Sequence, residues 1–369
     1  MVFPFLLILS RGMGTSVEMI SFAVSIASMS AVFAPLLAQI GERFGKRTGM
    51  LTGILTFILS GFLVYFSNNF IGFFIGTLLL QLAINTFSPA MQAYISDNIP
   101  FEKRGMALSA TELGWPLSFV LLVPLIALRI EEWGWNTIYL IFSLASIVFL
   151  VLIMAQTKKE PQNQTSPEHY RLPFGEIFRS GNAVLGLAIG FCIISANILV
   201  QLVFGLWLET GFSASATQIG LVSSVIGVAE FGGILVSILF IDRIGKHRAI
   251  TIGVSAGIIL TLIANFLDFT LVSAGAWLVL FFLLSEFSIV STITFVSELF
   301  PQARNTYMAL YSMMNAIGFG IASILAPIAY RYSIHGNITA ALVMNIVVFV
   351  LLMAVKRPAK VLAQPAAAD

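Results

Sequence analysis

The chain has 369 residues, of which 58% are hydrophobic and only 10% are charged, and its mean hydropathy is +0.97. An ordinary soluble domain carries about 25% charged residues, so this composition argues against a soluble protein and predicts a chain that lies in lipid. The net charge of +2 and the single cysteine, Cys192, give no basis for a nucleic-acid partner, a disulfide framework or a thiolate metal site.

The first half of the chain consists of successive apolar runs. A helix needs about 20 apolar residues to cross a hydrocarbon core of about 30 Å. The first run, Met1 to Leu9, is about half that length, and we interpret it as the end of a first span. Arg11 follows this run instead of preceding it, which is the wrong order for a signal peptide. Five further spans are predicted in this half, at Val17 to Ile40, Thr48 to Phe66, Phe70 to Ser96, Gly105 to Ala127 and Asn136 to Ala155.

A polar stretch divides the chain in the middle. We predict a cytoplasmic linker at 157–181, ending in a short interfacial helix, between six-helix bundles at 1–156 and 182–357, and a cytoplasmic tail at 358–369. Six spans are predicted after the linker, at Asn182 to Leu208, Thr217 to Ile241, Ala249 to Phe266, Leu271 to Ser297, Thr306 to Tyr330 and Ile338 to Val355. The fold expected is therefore an all-α membrane protein of twelve spans in two bundles, the first span being truncated.

The distribution of basic residues predicts the orientation. If the loop after Ile40 is cytoplasmic, sixteen of the 19 Lys and Arg residues lie on that side. The other side then holds only Arg11, Arg129 and Arg331. Cytoplasmic loops of membrane proteins carry an excess of Lys and Arg, so the linker and the C-terminus are expected in the cytoplasm.

The two halves repeat the same polar punctuation about 200 residues apart. Glu42-Arg43-Phe44-Gly45-Lys46-Arg47 follows the second span, and Asp242-Arg243-Ile244-Gly245-Lys246-His247 follows the eighth. A second pair, Asp97 with Pro100 and Glu298 with Pro301, follows the fourth and tenth spans. Repeated halves are a hallmark of secondary transporters.

These motifs resemble the major facilitator superfamily, whose loop between spans two and three has the form G-x-x-x-D-R-x-G-R/K-R/K. The match uses Glu42, Arg43, Gly45, Lys46 and Arg47, with Ala38 in place of the first glycine. The resemblance covers essentially the whole chain. It implies two rocking six-helix halves, with latches on the cytoplasmic side. By resemblance, one latch would contain Glu42, Arg43 and Asp97, and the other Asp242, Arg243 and Glu298; the alternative is that these charges only set topology. Gly45 and Gly245 would permit the tight turns.

Two motifs of proton-coupled exporters in this family are incomplete here. Counting back from Pro89, Thr77 stands where an arginine of the fourth span is expected. The fifth-span motif is reduced to Gly114-Trp115-Pro116. These departures weaken the indication of export and, more so, of proton coupling.

Three acids lie inside predicted spans, where a charged group is costly and each acid is a functional candidate. In the family, spans one, four, seven and ten line the cavity, so Glu286 on the tenth is best placed to meet substrate or a proton. Glu230 and Glu112 lie on spans eight and five, which face the other half. For each acid, a hydrogen-bonded packing role is the alternative.

The same four spans carry polar residues that could contact a substrate, although hydrogen bonds between helices are the alternative role for them. The candidates are Asn85, Asn197, Gln201 and Trp207. No Lys or Arg lies deep in any span, which disfavours anionic substrates.

The leading hypothesis is a secondary active transporter that exports lipophilic neutral or cationic molecules by alternating access, coupled to protons. The alternative is an importer or facilitator of a small neutral solute such as a sugar or nucleoside, which would show Asn, Gln and Trp around its ligand. An enzyme is disfavoured because no intramembrane His or Cys cluster is present. We expect no cofactor, a monomer, a small-molecule substrate and lipid as partners, and a prokaryotic plasma membrane as location.

Overall fold

The architecture is described from a computed structural model, in which residues 3–34, 37, 44–100, 111, 114–157, 174–300, 304–331 and 333–355 are described. Regular secondary structure in these ranges is helical throughout. Six helices form the first half: α1 (Leu6–Met13, after a 3-10 turn at Phe3–Phe5), α2 (Val17–Met29, continued by a 3-10 turn at Ser30–Phe33), α3 (Lys46–Ser67), α4 (Phe70–Asn98), α5 (Gly114–Ala127) and α6 (Thr137–Gln156).

Six helices form the second half: α7 (Gly181–Phe212), α8 (Ala216–Ile244), α9 (Lys246–Ala264), α10 (Leu271–Val296), α11 (Arg304–Tyr330) and α12 (Ile334–Ala354). Two short helices, Ile130–Trp133 and Phe174–Arg179, precede α6 and α7. The second occupies the position of the predicted interfacial helix, while residues 158–173 of the linker and the tail lie outside the described residues.

Nine of the described helices are long and apolar enough to cross a membrane: α3, α4 and α6 to α12. The other three are shorter. The axes of α1 and α2 differ by 119°, so the two helices do not form one straight span. The predicted second and fifth spans extend into 35–43 and 101–113, which lie mostly outside the described residues. The chain is thus a membrane protein of the predicted class, with nine of the twelve predicted spans present at full length in the described ranges.

Side-chain caps explain where several helices begin. The Asn69 side chain accepts a hydrogen bond from the backbone N–H of Gly72 at the start of α4. At the start of α8, Ser215 and Gln218 bond reciprocally to each other's backbone N–H groups, and Thr270 and Ser273 do so at the start of α10. These caps satisfy N–H groups that have no partner inside the helix.

Contacts between helix ends show that α3 and α6 run antiparallel to each other. Arg47 at the start of α3 donates to the carbonyl of Met154 at the end of α6 (2.8 Å), while Asn136 before α6 donates to the carbonyl of Tyr65 near the end of α3 (3.2 Å). We call the end of the bundle with Arg47 and Lys246 the basic face, and the other end the opposite face.

The most extensive contacts between the halves join α2 to α11 and α5 to α8. The backbones approach closely there. Ser25 of α2 donates to the carbonyl of Gly320 in α11 at 2.7 Å. A Cβ atom added at Gly227 of α8 would lie 2.8 Å from the Cβ of Phe119 in α5. Small residues let membrane helices pack at this distance.

The outward surfaces of the bundle are apolar. Phe66, Ile71, Phe266 and Val272 are 75%, 69%, 83% and 82% exposed. A soluble monomer rarely exposes so many large apolar side chains, so these surfaces are suited to contact lipid.

Candidate functional site

A cavity of about 410 Å³ lies between the two halves. It is lined by Phe3, by Val24, Ala27, Ser28 and Ala31 of α2, by Thr77, Leu80 and Gln81 of α4, by Trp115 of α5, by Ile194 of α7, and by Asn315, Ala316 and Phe319 of α11. Its volume matches sites for small organic molecules.

The cavity wall is mostly apolar. Eight of the thirteen described lining residues are Phe, Val, Ala, Leu or Ile, and none is charged. The hydrogen-bonding groups come from Ser28, Thr77, Gln81, Trp115 and Asn315. Such a wall can hold an uncharged molecule and orient it through a few polar contacts.

The lining differs from the sequence-based expectation, which placed spans one, four, seven and ten around the cavity. In the described lining, α2 with its 3-10 extension contributes four residues, α4 and α11 contribute three each, and α10 contributes none. α10 packs against α8 and α9 of its own half, and its candidate residue Glu286 faces Gly233 of α8. Only α4, α7 and the segment before α1 contribute as expected.

Asn315 and Trp115 were not among the predicted site residues. Asn315 belongs to a face of α11 that presents Tyr307, Tyr311 and Asn315 at intervals of four residues. Tyr307 Oη donates to the carbonyl of Ala183 at 2.8 Å, which ties α11 to α7. Tyr311 Oη and Asn315 Oδ1 are buried and make no hydrogen bond with the described residues. That periodic polar face was the available signal for Asn315.

A buried carboxyl group lies next to the cavity wall. Glu230 of α8 is 2% exposed, and its Oε1 accepts a hydrogen bond from Nε2 of Gln201 in α7 at 3.3 Å. Its second oxygen has no hydrogen-bond partner among the described residues. The side chain of Trp115 lies beside this carboxyl group and also lines the cavity. Glu230 is therefore connected to the cavity through Trp115.

Glu286 is the second acid of this site. It lies on α10, partly buried, close enough to Glu230 for the two carboxyl groups to interact electrostatically. A Cβ atom at Gly233 of α8 would lie 3.1 Å from the Cβ of Glu286, so the residue packs against α8 and not in the cavity wall. The structure thus brings Glu230, Glu286 and Gln201 together behind the wall.

The other candidate site residues are distributed differently. Asn85 accepts a hydrogen bond from the cavity residue Gln81 at 3.2 Å. Asn197 is buried on α7 outside the described lining, and Trp207 packs against Phe269 and Trp277 with ring centroids 5.1 and 6.1 Å away. Glu112 lies outside the described residues.

The repeated loops at the basic face adopt matching backbone conformations. Gly45 has φ of 92° and Gly245 has φ of 90°, and each directly precedes a helix, α3 or α9. Side chains rarely adopt this region, so both turns need glycine.

Each repeated loop also carries an ion pair. Lys46 pairs with Asp97 in the first half, and Lys246 pairs with Glu298 in the second. Both pairs join helices of the same half. Arg47 binds the end of α6 through Thr157 and Met154, and Arg243 is exposed. Glu42, Arg43 and the side chain of Asp242 lie outside the described residues, so the gating role of these loops remains a prediction.

Comparisons with known proteins agree with this architecture. The sequence model of the Major Facilitator Superfamily matches residues 1–292. A crystal structure of a mutant of the nucleoside transporter NupG superposes with a TM-score of 0.78 at 15% identity, covering 96% of this chain and 94% of that one. A crystal structure of a D-xylose-proton symporter superposes with a TM-score of 0.80 at 15% identity, covering 96% and 92%. No curated protein matches the sequence.

Proposed function

Because the chain belongs to the major facilitator superfamily, we propose that this transporter is a secondary active one and carries a small, uncharged, largely apolar organic molecule through the cavity between its halves. The single observation that carries the proposal is the wall of that cavity, which is mostly apolar and has no charged side chain among the described residues. A cationic substrate would have to reach the carboxyl group of Glu230 for its charge to be compensated.

The proposed mechanism is alternating access. The two halves rock about the α2–α11 and α5–α8 contacts, so that the cavity faces one side of the membrane at a time. The close approaches at Gly227 and Gly320 support this, because each glycine lets the facing helix of the other half pack directly against its backbone.

We assign proton coupling to Glu230 and Glu286. Glu230 contacts the neutral side chain of Gln201 and lies beside the indole of Trp115, and it forms no ion pair among the described residues. A carboxyl group in such surroundings can gain or lose a proton without breaking an ion pair. Acids inside membrane proteins commonly serve as proton relays. Coupling to an inward proton gradient would drive export of the substrate.

A second candidate is symport of a hydroxylated neutral solute. Gln81, Trp115 and Asn315 supply the amide and indole groups that such a solute needs. The two structural neighbours, a nucleoside transporter and a D-xylose-proton symporter, carry names of this kind, although the likeness itself concerns the fold.

The two candidates differ in their dependence on the polar wall. We would measure uptake into proteoliposomes over a panel of lipophilic neutral drugs, lipophilic cations, sugars and nucleosides, with Gln81→Leu and Asn315→Leu as single and double variants. Thr339→Val, a change in the second turn of α12 and outside the described cavity lining, is the matched control.

If the substrate is largely apolar, the double variant should keep transport within about fivefold of the parent, because only a weak hydrogen bond of about 1 kcal/mol or less is lost. If the substrate is hydroxylated, transport should fall by tenfold or more, since polar groups of the solute would lose their partners. Transport restricted to organic anions would contradict both candidates.

A further inference from the structure

Two ion pairs join the halves at the opposite face. Arg11 at the end of α1 donates from Nη1 to Oε1 of Glu209 in α7 at 2.7 Å. Arg331, directly after α11, approaches Oε1 of Glu18 in α2 through Nη2 at 2.8 Å and through Nε at 2.9 Å. Each pair connects a residue of the first half to a residue of the second.

These pairs account for two of the three arginines on this face. The third, Arg129, pairs instead with Glu132 three residues away at 2.7 Å, within its own half. The first turn of α8, which packs against α5, contains no acidic residue. Cross-half pairing therefore joins α1 to α7 and α2 to α11, while Arg129 provides an arginine of the same face that pairs locally.

An apolar seal lies beneath the two ion pairs. Phe3, Phe5 and Leu6 are buried, and the rings of Phe3 and Phe319 lie 6.1 Å apart across the halves. α7 breaks at Leu202 and Val203, and the part that follows packs on the segment before α1. A Cβ atom at Gly205 would lie 2.3 Å from the carbonyl oxygen of Pro4. The cavity is thus closed from this side.

The basic face has a different pattern. Its described ion pairs, Lys46 with Asp97 and Lys246 with Glu298, each lie within one half. Within the described ranges, ion pairs that join the halves occur only at the opposite face.

We propose that Arg11–Glu209 and Glu18–Arg331 form a paired electrostatic gate, which holds the opposite face closed in the conformation seen here and must release both pairs before the cavity can open to that face. The proposal rests on alternating access, but it is independent of the substrate and of proton coupling.

The pairs suit a reversible gate because they are solvent-accessible. The side chains of Arg11 and Arg331 are 67% and 63% exposed. Exposed ion pairs are weak and salt-dependent, so each should shift the ratio of closed to open molecules by only about two- to fivefold. Two such pairs on separate helix contacts would together bias the equilibrium by about four- to twenty-fivefold if they act independently.

The gate can be tested by accessibility of the cavity. In a Cys192→Ser background, a single cysteine replaces Ala316 in the cavity wall (Ala316→Cys). A membrane-impermeant maleimide is applied to oriented vesicles from the opposite face, and the labelling rate is measured for Glu18→Gln, Glu209→Gln and the double variant. Glu132→Gln, which removes the local pair of Arg129, is the matched control.

We expect Glu18→Gln and Glu209→Gln each to label faster than the parent, and the double variant to label faster still, with free-energy effects that roughly add. In high salt the parent and the variants should label at similar rates. Glu132→Gln should label at the parental rate. The charge swap Arg11→Glu with Glu209→Arg should restore slow labelling, whereas Arg11→Glu alone should not, which separates gating from misfolding. Equal labelling rates in the parent, the Glu18→Gln/Glu209→Gln double variant and Arg11→Glu would overturn the gate, even if transport proceeds as proposed.

Discussion

At the scale of single residues, Glu230 has the properties that the proposed coupling requires. It is buried, its partner Gln201 is neutral, and a second carboxyl group, that of Glu286, lies near it. The helix α7 that supplies Gln201 also lines the cavity through Ile194. A change of protonation at Glu230 can therefore act directly on a cavity-lining helix.

Glu230→Gln should abolish accumulation driven by a proton gradient while retaining passive exchange, because glutamine keeps the volume and hydrogen bonding but cannot titrate. Glu286→Gln should reduce accumulation and flatten its pH dependence. The measurement is uptake with and without a proton gradient in proteoliposomes, with Glu132→Gln as the control on an exposed acid. Gradient-driven accumulation by Glu230→Gln at the parental level would show that this acid is structural.

The turn glycines give a prediction about stability. Gly45→Ala and Gly245→Ala should each cost about 1–3 kcal/mol, because alanine is strained at φ near 90°. The melting temperature of the detergent-purified protein measures this. Gly181→Ala, at an open position where α7 begins, should leave that temperature nearly unchanged. Equal melting temperatures for all three variants would contradict the strained turns.

Sequence patterns identified the turns and the acids but not their partners. The acids Asp97 and Glu298 pair with Lys46 and Lys246, two residues of the repeated loops that the sequence had not assigned to the acids; the association with Arg43 and Arg243 stays a prediction. Which basic side chain reaches an acid depends on how the first turns of α3 and α9 are rotated, and this rotation is set by packing that a linear motif does not contain.

At the scale of helices, hydropathy and the polar residues between the apolar runs predicted the ends of several helices well. The span predicted at Phe70 to Ser96 is observed as Phe70–Asn98, and the one predicted at Leu271 to Ser297 as Leu271–Val296. The interruptions inside helices were not predicted. The π turn at Ser118–Leu122 lies between Pro116 and Pro124, and the break at Leu202 and Val203 follows Gln201. Hydropathy averaged over a whole span does not show such local interruptions.

The contact between α5 and α8 gives a prediction at this scale. Gly227→Ala would bring a methyl group within 2.8 Å of Phe119 and 2.9 Å of the carbonyl of Pro116. Such overpacking costs about 1–3 kcal/mol and should also hinder movement between the halves. We expect a lower melting temperature and a transport rate reduced by tenfold or more.

Gly232→Ala is the matched control for that contact. Gly232 lies on the same helix, but its nearest neighbour to an added Cβ is Leu283 at 3.9 Å. This variant should transport at the parental rate. If Gly227→Ala and Gly232→Ala behaved alike, the close approach of α5 and α8 would have no role in transport.

At the scale of the whole molecule, the repeat and the span count were enough to predict two halves and the family, but not which helices line the cavity. The expectation took spans one, four, seven and ten from the family's general arrangement, whereas the described wall also includes α2, α5 and α11 and does not include α10. A small rotation of one half against the other changes which helices line the cavity. The lining therefore depends on the conformation of the whole molecule, which the sequence of a single helix does not specify.

The orientation of the molecule is testable with exposed positions on each face. Cysteines introduced at Arg179 and Glu132, in the Cys192→Ser background, should react with an impermeant maleimide from opposite sides of the membrane. Arg179 is expected on the cytoplasmic side because the basic face holds most of the Lys and Arg residues. Labelling of both from one side would overturn the topology.

The central claim is that the movement of a small uncharged solute through this cavity is coupled to protons at Glu230 and Glu286. Proton flux across proteoliposomes, followed with an internal pH-sensitive dye while a panel of lipophilic neutral compounds, lipophilic cations, sugars and nucleosides is added, tests it most directly. The account predicts a proton flux that appears only with transported compounds and that disappears in Glu230→Gln. Accumulation of a compound with no accompanying proton flux, unaltered in Glu230→Gln, would contradict it.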